Sequence, residues 1–142
     1  MASRSVKPSD YDAIEAAFVD GVLALDGLKP FCRAMDPHKA AHYLAHEHEH
    51  SYIVDETFLV CYQIGTPWFS NEQMLGEMSV LRLAAGGSFS MVTDFLKAEA
   101  KRHSCKWVLT GTLLSNCDEL LSRLYTMKGF SPTLRQLAME VT

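Results

Sequence analysis

Residues 74–100, MLGEMSVLRLAAGGSFSMVTDFLKAEA, decide the fold, because a strand pattern runs here through a Gly-Gly-Ser turn into a helix pattern. The first ten residues read as a strand. Over residues 90–103 the apolar side chains recur at helical spacing and the last turn is cationic, which predicts a helix. The apolar stripe of this helix comprises Met91, Val92, Phe95 and Leu96.

The Gly-Gly-Ser turn is the first place where binding chemistry is indicated. The first amides of the helix have no partner within it, so they favour an anion above the helix end. Gly86 and Gly87 let the backbone approach a diphosphate without a Cβ clash. A tight strand-to-helix turn with Ser88 as its N-cap explains the same residues, and neither a dinucleotide fingerprint nor a P-loop is present. Both interpretations stay open.

The remaining elements predict a single α/β domain, or α+β by a stricter definition, that spans residues 1–142. Its composition, 48% hydrophobic and 21% charged, suffices for one core and not for two. A short strand is expected near residues 5–7, and later strands are rich in β-branched and aromatic side chains. Helices are predicted over residues 10–22, 37–46, 90–103 and 116–128, and strands over residues 51–56, 57–65, 74–83, 106–115 and 133–141.

Charge and cysteine usage exclude several classes of partner. The net charge is −4, from 17 acidic and 13 basic residues, and no basic tract could follow a phosphate backbone, so we expect no nucleic acid partner. The four cysteines form no C-x-x-C pair, which favours reduced thiols in a cytoplasmic protein. No apolar run reaches the length of a membrane span, so no membrane partner is expected.

The stretch LYTMKGFSPT, residues 124–133, places Tyr125 in the last turn of a predicted helix, four residues before Gly129 and Phe130. Together with VKPSDYDAI at the start and AAGGSFSMVTDFLKAEA in the middle, it resembles the GNAT superfamily of acetyl-CoA-dependent N-acetyltransferases. The resemblance covers nearly the whole chain. It implies a mixed, mostly antiparallel central sheet, flanked by helices and splayed between its fourth and fifth strands, with acetyl-CoA wedged into the gap.

The resemblance also implies roles for individual residues. Tyr125 matches the tyrosine of the family's Y-x-x-x-G-F pattern, which protonates the departing thiolate of CoA, so it is the candidate general acid. The alternative is an aromatic side chain packed on an amphipathic helix. Acetyl-CoA is the expected co-substrate, and its pyrophosphate would lie on the loop of residues 84–89. The candidate cofactor-binding residues are Arg82, Leu83, Ala84, Gly86, Gly87, Ser88, Phe89 and Asn116.

The loop departs from the family's Q/R-x-x-G-x-G/A pattern. With Arg82 first, the glycine positions fall on Ala85 and Gly87, and with Gly86 in register the first and last positions fall on Leu83 and Ser88. No Lys or Arg follows Arg82 in the loop, so phosphate binding would depend on amides, the helix dipole and Ser88. A second hypothesis follows from this: a catalytically degenerate GNAT-fold module with a binding or structural role, such as a phage-encoded or assembly-associated protein.

A general base is needed to deprotonate the substrate ammonium, and Glu77 in the fourth strand is the candidate. Strand alternation predicts that Glu77 shares one face with Ser79, Leu81 and Leu83. A solvent-facing glutamate near a strand start is the alternative. Asn116 lies in roughly the region where the family has a CoA-contacting asparagine, but it is further from Tyr125 than the family's usual spacing. It equally fits a helix cap with Glu119 three residues later.

Five histidines form a separate cluster: His38, His42, His46, His48 and His50. Histidines at i and i+4 on one helix face can ligate zinc. Lys39 and the alternating glutamates suggest a solvated edge instead, so we expect no metal. The predicted function is therefore transfer of acetyl from acetyl-CoA to a small-molecule or protein amine, and a homodimer is left open.

Overall fold

The computed structural model describes residues 2–115, 117–133 and 136–141 of the chain. The described residues form four helices and five strands, with short 3₁₀ turns at Pro8–Asp10 and Pro30–Ala34. In chain order the elements are β1 (Ser3–Ser5), α1 (Tyr11–Leu25), α2 (Pro37–His42, extended by a π-helical turn, Tyr43–Glu47), β2 (Ser51–Val54), β3 (Phe58–Gly65), β4 (Met74–Arg82), α3 (Phe89–Arg102), β5 (Trp107–Leu109) and α4 (Asp118–Met127).

The five strands form one sheet in the order β1-β2-β3-β4-β5. The first four are antiparallel neighbours, and β5 runs parallel to β4. The parallel pairing covers only Met74–Gly76 against Trp107–Leu109, whereas β4 continues to Arg82. Beyond Gly76, β4 remains paired with β3 but no longer pairs with β5, so β4 and β5 separate there. The predicted mixed sheet, splayed between its fourth and fifth strands, is confirmed.

The core lies on both faces of the sheet, and β3 supplies side chains to each. Phe58, Val60 and Tyr62 pack toward α3, whereas Leu59 and Cys61 pack toward α1 and α2. This alternation follows from the period of two along a strand. A strand covered on both faces reads as a continuous apolar run, as β3 does.

A polar network anchors the end of α3 to the sheet. The buried Tyr62 hydroxyl donates to Glu99 Oε1 at 2.8 Å. The Arg102 guanidinium donates to both oxygens of the same carboxylate, at 2.9 and 3.0 Å, and these bonds lower the pKa of Glu99. The buried Glu99 carboxylate is thus paired with the half-exposed Arg102 guanidinium and with the buried Tyr62 hydroxyl, and a buried charge needs such partners.

Two predicted strands differ from the structure. The strand expected over residues 106–115 ends at Leu109, because the pairing with β4 does not continue beyond this residue. The strand expected over residues 133–141 is wrong for Thr133 and for residues 136–141, which are irregular and exposed, and Leu134 and Arg135 lie outside the described residues. Alternation of apolar and polar side chains does not by itself form a strand, because the backbone also needs a neighbouring strand with which to pair.

Replacement of Tyr62 by Phe should lower the free energy of unfolding by about 1–2 kcal/mol, because a buried hydrogen bond to Glu99 is lost. Urea unfolding at neutral pH measures the effect. The matched control is Tyr43→Phe, which removes a hydroxyl from a side chain that is 41% exposed and should cost less than about 0.5 kcal/mol. Equal losses in the two variants would show that the network does not anchor α3.

Candidate active site

β4 carries a bulge where the sheet begins to open. Ser79 lies opposite Cys61, but the next residue of β3, Tyr62, lies opposite Glu77, so Met78 is left without a partner. The prediction that Glu77 shares a face with Ser79, Leu81 and Leu83 is therefore wrong, because one extra residue shifts the alternation. The bulge also leaves backbone groups beside Glu77 outside the regular ladder.

The Glu77 carboxylate is partly buried and accepts one backbone hydrogen bond. The donor is the amide of Gly111, in the segment after β5, at 3.2 Å from Glu77 Oε2. Burial raises the pKa of Glu77 to about 7, and the Gly111 amide opposes this shift. Near neutral pH the carboxyl group can therefore exist in both protonation states, as a general base requires.

Tyr125 lies in α4 and is 5% exposed. Its ring makes edge-to-face contacts with Phe89, at 4.8 Å between centroids, and with Phe130, at 5.1 Å. The Gly129 backbone has φ +96°, which lets the chain turn back so that the Phe130 amide donates to the Tyr125 carbonyl at 3.1 Å. The Y-x-x-x-G-F spacing thus caps α4 and holds the phenol between two rings.

The environment of Tyr125 keeps its phenol protonated. Burial raises the pKa of Tyr125, the negative charge of Glu77 raises it further, and the Thr110 hydroxyl opposes the shift. The structure thus brings the two predicted catalytic residues, from β4 and α4, into one electrostatic environment beside Thr110 and Gly111. One group can accept a proton near neutral pH, and the other can donate one.

The loop between β4 and α3 depends on its two glycines. Gly86 has φ +94° and Gly87 has φ +67°, conformations that other residues rarely adopt. A Cβ at position 87 would lie 3.0 Å from Thr57 Cγ2 and 3.1 Å from Phe58 Cε2, whereas one at position 86 would meet nothing within 4 Å. Gly87 is required for close packing on β3, and Gly86 for conformation alone.

Arg82 supports this loop. Its guanidinium lies 4.6 Å from the centre of the Phe58 ring, and Nη1 donates to the Gly86 carbonyl. The amides of Leu83 and Ala84 donate to the Thr57 carbonyl at 2.7 and 3.4 Å. Within the described chain, no hydrogen bond occupies the amides of residues 86–88. Because residues 86–88 are exposed, these amides, rather than the Arg82 side chain, are available to a ligand.

Helix α3 begins beside these free amides. Ser88 is its N-cap residue in an extended conformation, and its hydroxyl makes no capping bond, so the structural role expected for this serine is not fulfilled by its side chain. Phe89 follows and contacts the Tyr125 ring. The loop that was predicted to bind phosphate therefore contacts the candidate general acid through one aromatic pair, Phe89 and Tyr125.

The last predicted cofactor residue, Asn116, lies outside the described residues. Sequence reasoning missed Thr110 and Gly111, which contact Tyr125 and Glu77 from the segment after β5. The only sequence feature that could indicate these two residues is the Thr-Gly-Thr motif to which they belong. It also missed Thr57, which supports the loop through its carbonyl and which no sequence motif marks.

The histidines lie apart from this site and serve different contacts. His38 Nδ1 is 2.6 Å from Glu15 Oε2, His48 Nε2 is 2.7 Å from the Tyr62 carbonyl, and the His50 ring stacks on Tyr62. In the described ranges no three His, Cys, Asp or Glu side chains are grouped as metal ligands.

A groove of about 640 Å³ lies beside α1 and α2. Its lining consists of Phe18, Met35, Asp36, Lys39, Ala40, His42, Tyr43 and Glu47. Since neither Glu77 nor Tyr125 lines it, we assign it no part in the chemistry. No helix of the described residues is long and apolar enough to cross a membrane.

Comparison with known proteins identifies the fold. No family model matches the chain, and no curated protein matches it by sequence. Among solved structures, a tetramutant of the BH1408 protein from Bacillus halodurans has a TM-score of 0.74 at 13% identity, over 99% of this chain and 100% of that one. A ribosomal-protein-alanine N-acetyltransferase from Brucella melitensis biovar Abortus 2308 has a TM-score of 0.67 at 10% identity, over 99% and 100% of the two chains.

An aminoglycoside acetyltransferase from an uncultured soil metagenomic sample has a TM-score of 0.60 at 10% identity, over 99% of this chain and 98% of that one. With the sheet order and the splay already described, these similarities show that the chain has the GNAT fold, as the sequence resemblance implied. At 10–13% identity they show the fold alone.

The raised pKa of Glu77 predicts a pH-dependent effect on stability. A carboxyl group whose pKa is higher in the folded than in the unfolded protein stabilises the fold below the unfolded value, and this contribution is lost as pH rises through the folded value of about 7. The stability of the parent relative to Glu77→Gln should therefore fall between about pH 4.5 and pH 7, by up to about 3 kcal/mol.

Urea unfolding of both proteins at pH 5 and pH 8 tests this prediction. The quantity compared is the difference in the free energy of unfolding between the two proteins, because the other titrating groups contribute equally to both. A difference that does not change between the two pH values would mean that Glu77 is solvated in the folded protein.

Proposed function

We propose that the protein transfers an acetyl group directly from acetyl-CoA to an amine. The observation that carries the proposal is that adjacent residues of one segment after β5 meet both candidates: the Gly111 amide bonds to Glu77, and Thr110 lies beside Tyr125. Burial raises the pKa of both groups, so that one is poised as a base near neutral pH and the other stays protonated as an acid. The GNAT fold of the solved acetyltransferases supports this reaction class.

The loop after β4 is the proposed site for the diphosphate of acetyl-CoA. Amides of residues 86–88 are exposed there, at the N-terminus of the 14-residue helix α3. Helix N-termini attract anions through their free amides and their dipole. The loop carries no cation beyond Arg82, whose guanidinium is already bonded to the Gly86 carbonyl. Binding would therefore rely on backbone groups and on the Ser88 hydroxyl.

In the proposed reaction Glu77 accepts a proton from the acceptor ammonium, and the free amine attacks the thioester carbonyl. When the resulting tetrahedral intermediate collapses, the C–S bond breaks and Tyr125 gives its proton to the departing thiolate, while the proton that the acceptor nitrogen loses returns the phenolate to its neutral form. The acceptor is a small-molecule or protein amine. The two solved acetyltransferases named above act, by their names, on an aminoglycoside and on a ribosomal protein, and both classes contain amines.

A second function has its own support. The loop lacks a clean match to the family pattern, and its one arginine is occupied within the loop. A GNAT-fold module without coenzyme binding, serving as a binding or structural protein, is therefore the alternative. Binding of acetyl-CoA separates the two functions.

Acetyl-CoA should bind the parent protein and raise its Tm by mass action. Ser88→Glu places a carboxylate beside the proposed diphosphate and should weaken binding at least tenfold, a change of about 1.4 kcal/mol. The matched control is Ala98→Glu, which adds the same charge at an exposed position of α3, further along the helix. Isothermal titration gives the Kd of each protein.

Both variants should retain the parent Tm without ligand, because a carboxylate is tolerated at a helix N-terminus and glutamate is a good helix former at the exposed position 98. A flat titration of the parent into the millimolar range would favour the structural module. Equal weakening by both variants would place the diphosphate elsewhere.

Tyr125→Phe keeps the ring and its contacts with Phe89 and Phe130 but removes the acidic proton. With an amine acceptor in hand, kcat should fall by roughly 10²- to 10⁴-fold while the Kd for acetyl-CoA stays within about twofold. In the parent, kcat/KM should rise with pH up to about 7, where Glu77 becomes ionised. Glu77→Gln should remove this rise together with most of the activity.

The control is Tyr43→Phe, which changes an exposed phenol on another face of the molecule. If Tyr125→Phe lowers the Tm and leaves kcat unchanged, the residue has a packing role only. A pH profile that persists in Glu77→Gln would assign the base to another group.

A further inference from the structure

The segment of residues 110–113, between β5 and α4, has no regular structure, yet it provides both contacts of the candidate site. Its Gly111 amide bonds to Glu77, and Thr110 lies beside Tyr125. No strand ladder or helix fixes this backbone. Its position therefore depends on the side chains that bond to its amides and carbonyls.

Lys29, in the connection between α1 and α2, bonds to the backbone of this segment. Its Nζ donates to the Thr112 carbonyl at 2.7 Å and to the Leu113 carbonyl at 3.0 Å. A third bond, at 2.7 Å, joins it to the Asp118 carboxylate in the first turn of α4. Among the described residues, Lys29 and Glu77 are the only ones outside the segment and its own turn that bond to this backbone.

The backbone of Lys29 is itself fixed. Its amide donates to the Leu25 carbonyl at 2.9 Å, and its carbonyl accepts the Cys32 amide at 2.9 Å. Leu25 and Cys32 are each 1% exposed, so the core fixes both sides of Lys29. Arg33, the next cation along the chain, pairs instead with Asp26, and both of those side chains are exposed. Arg33 is therefore a natural comparison for Lys29.

We propose that Lys29 is a positioning residue for the acetyl transfer proposed above, and this role rests on that function. By bonding to the two carbonyls, Lys29 keeps the Gly111 amide on Glu77. The adjacent Thr110 is thereby kept beside Tyr125. Hydrogen bonds from a charged donor are stronger than neutral ones, and the Lys29 side chain is only 22% exposed, so solvent screens these bonds weakly.

The pKa of Glu77 reports the position of the segment. Burial raises it to about 7, and the Gly111 amide opposes the rise. The Lys29 charge is not among these causes, so loss of Lys29 would act on Glu77 through the amide. Tyr125 and Cys61 sense the charge of Glu77, but burial raises the pKa of each, so both stay protonated near neutral pH. A titration around neutral pH therefore reports Glu77.

NMR titration of the Glu77 carboxyl carbon, assigned with Glu77→Gln, tests the role without any turnover. Lys29→Met removes the ammonium and keeps an unbranched chain, and it should raise the pKa of Glu77 from about 7 to about 8, because the amide no longer stabilises the carboxylate. The rise of kcat/KM with pH should move equally. The matched control, Arg33→Met, removes a cation from the same connection and should leave the pKa of Glu77 at about 7.

A chemical rescue separates positioning from a loss of folding. In a Cys117→Ser background, which removes the exposed thiol, Lys29→Cys should raise the pKa of Glu77 as Lys29→Met does. Alkylation of the new thiol with 2-bromoethylamine restores an ammonium at the length of lysine and should return this pKa to about 7. Iodoethane adds the same two carbons without the ammonium and should not.

Three results would each overturn the positioning role: a pKa of Glu77 that is the same in Lys29→Met as in the parent, an equal rise in Arg33→Met, or no recovery with 2-bromoethylamine. An inactive parent in which the pKa changes still follow the expected pattern would overturn the proposed function, and it would support the contact through which Lys29 positions the segment.

Discussion

The separation of β4 from β5 is the constraint on which the rest of the structure depends. The two strands share only three residue pairs, and the bulge at Met78 follows two residues beyond the last pair, at Gly76. A bulge bends a strand and increases its twist. Because β4 then continues without its parallel neighbour, a gap opens between backbones that would otherwise be hydrogen-bonded. The amide of Gly111, free of the ladder, bonds to Glu77 across this gap.

The gap also sets the electrostatics of the candidate site. Glu77 is partly buried and, among the described residues, has no cationic partner, so its pKa rises, and its charge adds to the burial that raises the pKa of Tyr125. The pKa of Glu99 shifts in the opposite direction, because Arg102 and Tyr62 hydrogen-bond to its carboxylate and lower its pKa. Two carboxylates in one domain thus acquire different roles from their surroundings. The partnered one anchors a helix, and the unpartnered one is suited to proton transfer.

Much of the fold followed from local patterns. A stretch of 27 residues encodes the turn at Gly86 and Gly87, the strand before it and the apolar stripe of α3. In the structure, each end of α3 lies within one residue of its predicted bound. The pattern around Tyr125 predicted the end of α4 correctly, because Gly129 is the residue that can adopt the positive φ of a helix cap. The strand predicted for residues 136–141 is wrong, because their apolar side chains alternate but no described strand pairs with them.

By itself, the sequence determined the class of the domain, the order of its elements and the positions at which a glycine or an aromatic residue was needed, because these depend on neighbours within a few residues. Only the tertiary structure decided that Met78 is the bulged residue, that Arg82 bonds to its own loop, and that Thr110 and Gly111 lie beside Tyr125 and Glu77. The bulge at Met78 depends on strand register, and the bond between Glu77 and Gly111 joins residues 34 apart in the chain. No local periodicity specifies which residue of one strand lies opposite another.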